Sequence, residues 1–142
     1  MGTWRVIEDV ALADCALEVD GHDLPDLFET AAEALAQIMV DPSTVPLVTK
    51  RAIALEAETL DLLLYDWISE LIFLKDRDRD VFPRCRVAIE GDGPVRLKAR
   101  VSGGPIDPAL SALRADAKAV TFHRFGVERC HGAWRARFVI DI

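Results

Sequence analysis

Two stretches of this chain repeat apolar residues at three- and four-residue steps, and each therefore needs a broad apolar surface to lie against. In the first, Leu24, Leu27, Phe28, Ala31, Ala32, Leu35, Ile38 and Met39 share a stripe, behind Asp23 in an N-cap position and Pro25 in the first turn. This spacing predicts a helix from about 24 to 40. In the second, Leu60, Leu63, Leu64, Trp67, Ile68, Leu71 and Ile72 form the stripe, while Asp61, Asp66, Ser69 and Glu70 fall away from it. That predicts a helix from about 59 to 74, and both stripes call for a sheet to cover them.

The rest of the chain supplies the strands. Apolar residues alternate in Cys15/Leu17/Val19, Ile53/Leu55/Ala57, Cys85/Val87/Ile89, Val95/Leu97/Ala99/Val101 and Trp134/Ala136/Phe138/Ile140, with polar residues between most of them. Gly91-Asp92-Gly93-Pro94 reads as a hairpin turn, and Cys130-His131-Gly132 as the turn that brings the strand carrying Thr121 back towards Trp134. Asp76 to Asp80, Asp-Arg-Asp-Arg-Asp, reads as a mixed-charge loop after the second helix, and Asp41 to Pro46 as a proline-containing loop. The expected architecture is α+β: one largely antiparallel or mixed sheet, two helices packed on one of its faces, and a single domain over residues 1–142.

Composition narrows the function classes. About half of the 142 residues are hydrophobic, enough for a real core, and the longest apolar runs are far too short to span a bilayer. No basic segment followed by an apolar stretch opens the chain, so a soluble, cytoplasmic protein is expected. Cys15, Cys85 and Cys130 are odd in number and lack CxxC spacing, which argues for reduced thiols and against a disulfide framework or zinc knuckle. With 17 basic and 24 acidic side chains the net charge is −7, whereas a protein that grips RNA backbone by itself carries a positive excess. Contact with nucleic acid is therefore expected only through a partner. One local exception stands out: Arg84, Arg86, Arg96, Lys98 and Arg100 alternate with apolar residues and so share one sheet face, either as a solvated surface or as a contact for RNA or an acidic partner.

Few residues suggest chemistry. No GxSxG, HExxH, P-loop or GxGxxG occurs, which leaves catalysis by this chain alone with little support. Asp14 and Asp141 lie in predicted strands that the fold could bring together. Two carboxylates there, with the terminal carboxylate or backbone carbonyl of Ile142, would suit a hard divalent cation such as Ca²⁺ or Mg²⁺, although strand aspartates also simply face water. Lys118 opens the strand Lys-Ala-Val-Thr-Phe-His and reads either as an ordinary exposed lysine or as a partner for phosphate or carboxylate. His123 follows five residues later, and odd spacing along a strand puts it on the opposite face from Lys118, where it reads as a hydrogen-bonded structural residue rather than a ligand or base. His131 beside Cys130 is no coordination shell by itself, and His22 reads as a surface residue.

Lys118-Ala119-Val120-Thr121-Phe122-His123, the ending Phe138-Val139-Ile140-Asp141-Ile142 and Ala13-Asp14 together resemble the archease family. So do Gly21 ahead of a helix with Leu27-Phe28-Glu29, and the Leu62 to Leu74 segment with its Trp67. The resemblance spans essentially the whole chain. It implies an archease-like α+β fold and an accessory role: activation of an RtcB-type RNA-splicing ligase in tRNA splicing or RNA repair, by promoting its guanylylation and multiple turnover. That ligase joins RNA ends bearing a 2′,3′-cyclic or 3′-phosphate to a 5′-hydroxyl. The resemblance further implies a metal ion, Ca²⁺ ahead of Mg²⁺ or Mn²⁺, held by Asp14 and Asp141 with Ile142 beside them, and a role for Lys118 in activating the ligase. Two positions depart from the family pattern: the usual opening Asp-His-Thr-Ala-Asp stands here as Val10-Ala11-Leu12-Ala13-Asp14, and a common Gly-Glu pair stands as Gly103-Gly104. Two rival readings are a small metal-dependent hydrolase using Asp14, Asp141 and Lys118, and a chaperone or interaction module for another nucleic-acid enzyme.

Overall fold

The computed structural model describes residues 2–8 and 14–142, so Ala11 and Ala13 of the opening motif lie outside the described residues. The chain runs β1 (Thr3–Glu8), β2 (Asp14–Gly21), α1 (Leu24–Met39), a 3₁₀ turn (Pro42–Thr44), β3 (Thr49–Ala57), α2 (Leu60–Asp78), β4 (Asp80–Glu90), β5 (Val95–Pro105), β6 (Ala119–Cys130) and β7 (Ala133–Asp141).

Both helices start where the sequence places them. The Asp23 carboxylate accepts from the Asp26 N–H at 2.8 Å and the Thr59 hydroxyl from the Leu62 N–H at 3.2 Å, each satisfying a donor that the first turn leaves open. The second helix runs further than expected. It ends at Arg79, which takes a left-handed conformation (φ 61°) and donates its N–H to the Lys75 carbonyl. The segment Asp76 to Asp80 is therefore not a loop: Asp76–Asp78 complete α2 and Asp80 opens β4. Solvated charges propagate a helix without an apolar stripe, and Lys75 and Arg77 in the last turn complement the helix dipole.

Among the described residues all the strand pairings are antiparallel, but the strands divide into two sheets, in the orders β1-β2-β7-β6 and β3-β5-β4, where the sequence predicts a single sheet. The helices touch both: α1 packs on β2, β7 and β4, and α2 on β6, β3, β4 and β5. The reason lies in the small residues of α1. Thr30, Ala32, Ala34 and Ala36 are buried along with the large stripe, so this helix is covered on more than one side. Leu17, Val19, Phe138 and Ile140 from one sheet and Val87, Leu97 and Val101 from the other share one core with the helices. At its centre Trp67, fully buried, donates its indole N–H to the Phe28 carbonyl at 3.0 Å and ties α2 to α1.

Both expected hairpin turns form. Gly91 (φ 122°) lies between β4 and β5, while His131 (φ 52°) and Gly132 (φ 81°) both take the left-handed conformation that a two-residue type I′ turn requires. No helix among the described residues is long and apolar enough to cross a membrane.

Candidate functional site

The sheet register assembles the corner that the sequence suggests. In the four-stranded sheet β7 lies between β2 and β6, with Asp14 directly opposite Asp141 and Ala119 opposite Asp141 on the other side. Directly opposed residues share a face with Cβ atoms about 4.5–5.5 Å apart, so the two carboxylates stand side by side. Both residues are half-buried, as is Ile142. Among the described residues neither side-chain carboxylate has a hydrogen-bond donor or a cation beside it. Like charges set directly opposite one another are unfavourable, and a cation held by oxygen would relieve them. The donor set therefore fits a hard divalent ion. No group of three or more His, Cys, Asp or Glu side chains suited to a metal occurs among the described residues, so further ligands there would be backbone oxygen or water.

Lys118 stands just before β6 and donates its backbone N–H to the Asp141 carbonyl at 2.8 Å. Its side chain is exposed, with no partner among the described residues. The segment leading to it is anchored by a residue that sequence reasoning missed. Lys75, 3% exposed, places its ammonium 2.7 Å from the Ala117 carbonyl and 2.5 Å from carboxylate oxygens of both Asp116 and Asp76. A signal for it exists: Lys75 falls three residues after Ile72 and four after Leu71, on the apolar stripe rather than the polar face.

A second missed feature is Glu18. Between Leu17 and Val19 it reads as an outward polar residue, yet it is 3% exposed. The Arg137 guanidinium bonds it at 2.6 Å, and Arg5 and Arg135 close over it. Beside it, Arg135 bonds Asp20 at 2.7 Å and, with help from Arg5, holds the Asp20 carboxyl below the usual carboxylate range against the opposing effect of burial.

The remaining candidates do not join the corner. Pairing of β6 with β7 jumps from Thr121↔Val139 to Gly126↔Arg137, so residues 122–125 bulge and the parity argument separating Lys118 from His123 does not apply. His123 is exposed in that bulge, where Phe122 stacks on Tyr65 of α2 at 4.1 Å and Phe125 meets both rings edge-on. His131 is exposed in its turn, and exposed His22 has Nδ1 2.8 Å from Asp26. The three cysteines are thiols, and burial with nearby Glu29 and Glu33 pushes the Cys85 thiol up to about 12. Gly104 has a local reason to lack a side chain: a Cβ there would lie 2.2 Å from the Pro46 carbonyl oxygen.

Comparison with known proteins agrees over the full length. A sequence profile of the Archease protein family (MTH1598/TM1083) matches residues 4–142. The chain is 33% identical to Protein archease of Methanosarcina mazei over 132 residues, 92% of this chain and 90% of that one. It is 34% identical to Protein archease of Thermococcus gammatolerans over the whole of both chains. Among solved structures, the solution structure of Methanobacterium thermoautotrophicum protein 1598 superposes with a TM-score of 0.79 at 30% identity, over 99% of this chain and 98% of that one. The crystal structure of an archease from Thermotoga maritima, described as a possible chaperone, superposes with a TM-score of 0.64 at 19% identity, over 97% of this chain and 98% of that one, a likeness of fold.

Proposed function

This chain belongs to the archease family, and from that premise we propose that it is an accessory protein of an RtcB-type RNA-splicing ligase, working in the cytoplasm to promote the ligase's guanylylation and multiple turnover. The observation that supports this reading best is the convergence of Asp14, Asp141 and the Lys118 backbone on adjacent strands at one corner of the sheet. In this reading Asp14 and Asp141, with an oxygen of Ile142, hold a divalent ion, Ca²⁺ ahead of Mg²⁺ or Mn²⁺. The ion supplies a fixed positive charge that orders the corner. Lys118 offers an ammonium on a flexible stem, able to pair with a phosphate or a carboxylate of the ligase near its nucleotide pocket. The protein acts on the ligase, and the ligase holds the RNA. An accessory role is preferred to hydrolysis because the corner brings no histidine or third acidic side chain to serve as a general base among the described residues.

Multiple-turnover RNA ligation by the ligase of the same organism, with GTP and divalent metal, tests the reading. The protein should raise turnover, and Lys118→Ala and Asp14→Asn, both folded by thermal melting, should abolish the gain. Undiminished stimulation by both variants would overturn the residue assignment, and a pull-down recovering a different enzyme would overturn the choice of partner.

A further inference from the structure

On the other sheet, cations concentrate on the exposed face. The register sets Arg86 directly opposite Arg100, with Lys98 in the next row and Arg84 and Lys50 flanking Ser102 in the row before. All five cations are exposed, and none makes an ion pair or a side-chain hydrogen bond among the described residues. Six arginines elsewhere, Arg5, Arg51, Arg77, Arg96, Arg135 and Arg137, do pair with carboxylates. Two like charges directly across a strand pair are unfavourable unless something of opposite sign lies over them. A chain with 24 acidic and 17 basic side chains could have neutralised them and does not.

The shape and chemistry of the face indicate the class of that partner. Ala52, Ala54 and Ala88 form the floor of a shallow depression of about 550 Å³ walled by Arg86, Lys98 and Arg100. Between the cations the exposed face carries alanine and a half-buried serine, and the row beyond Lys98, where Glu56 and Glu90 flank Arg96, bounds the patch. It therefore lacks the large aromatic or aliphatic anchors that carry protein interfaces, and the rings on which bases stack. Cations two residues apart along a strand repeat at about 6–7 Å, a step comparable with that of successive phosphates on an extended single strand. The net negative charge of the molecule is no obstacle at short range, because fields between exposed charges fade over about 8 Å at physiological salt.

We propose that this face binds the phosphodiester backbone of single-stranded nucleic acid directly and without regard to sequence, with Arg86 and Arg100 at its centre. The proposal does not depend on the ligase reading, since it concerns the other sheet and needs no ligase to test. It adds a direct contact where net charge alone leads one to expect only an indirect one.

Fluorescence anisotropy with a short labelled single-stranded RNA, and the DNA of the same sequence, titrated at several salt concentrations, provides the test. Binding should weaken with salt at a log–log slope of about −0.7 per neutralised phosphate, near −3.5 if all five cations engage. Arg86→Gln with Arg100→Gln should lower affinity about tenfold at low salt and make the slope shallower by about 1.4. Arg84→Gln with Lys98→Gln should reproduce the loss if the central pair affects folding, and Arg129→Gln, which removes an exposed cation from the other sheet, should bind as wild type. Equal binding of RNA and DNA supports phosphate recognition. No binding at low salt, a strict preference for one sequence or sugar, or unchanged affinity in both double variants overturns it. Loss of ligase pull-down in the double variants without any nucleic-acid binding would assign the face to an acidic protein and equally overturn it.

Discussion

Replacing Lys75 with methionine measures how firmly the segment before Lys118 is held. Methionine keeps most of the packing volume, so the loss is that of the ammonium. Its two carboxylate partners have exposed side chains, Asp116 at 68% and Asp76 at 55%, and rehydrate when it goes, so those pairs are worth about 0–1 kcal/mol together. Ala117 is fully buried, and its carbonyl loses a donor that lies 2.7 Å away, which costs about 1–3 kcal/mol. Relief from burying an ammonium offsets part of this, leaving a net destabilisation of about 1–2 kcal/mol. For a domain of this size that lowers Tm by about 3–6 °C. Calorimetry gives the global value, and amide exchange should show protection falling first over residues 117–121, ahead of the rest of β6. A Lys75→Met protein as stable as wild type or more so, with unchanged exchange there, would refute the account, because desolvation would then outweigh every contact the ammonium makes.

Gly104→Glu, which restores the Gly-Glu pair common in the family, should destabilise this chain by roughly 1–3 kcal/mol, because the new Cβ meets the Pro46 carbonyl oxygen unless that loop shifts; an unchanged Tm would sink the explanation. Asp20 has a lowered folded-state pKa, so its ionised form contributes stability above the unfolded value near about 3.9 and loses it as pH falls through the lower folded value. Asp20→Asn should therefore weaken the protein at neutral pH and converge with wild type once the pH falls below the lowered folded-state value, as acid and neutral urea melts would reveal. With its thiol near 12, Cys85 should stay unmodified by iodoacetamide at pH 8 in the native protein and react once urea unfolds it; peptide mapping that finds it labelled under native conditions would contradict its burial.

Periodicity and capping determine the two helices from sequence alone, because a stripe at a period of 3.6 and an Asp23 or Thr59 cap are local properties. Alternation does the same for β2, β3, β4, β5 and β7, and for the common face of Arg86 and Arg100, because each sits between apolar residues that point to the core. Asp14, Lys118 and Asp141 were legible as candidates through a family resemblance. Their contact is a matter of register: only the pairing of β2 and β6 on either side of β7 sets Asp14 and Ala119 opposite Asp141. The split into two sheets was not legible, since small residues such as Ala34 and Ala36 carry too little hydrophobic signal to show that α1 is covered on more than one side. Nor were Glu18 and Lys75, whose burial depends on partners distant in the chain: Arg135 and Arg137 for one, Asp116 and Ala117 for the other. A charged residue looks solvent-facing in sequence until tertiary structure supplies the opposite charge that makes its burial affordable.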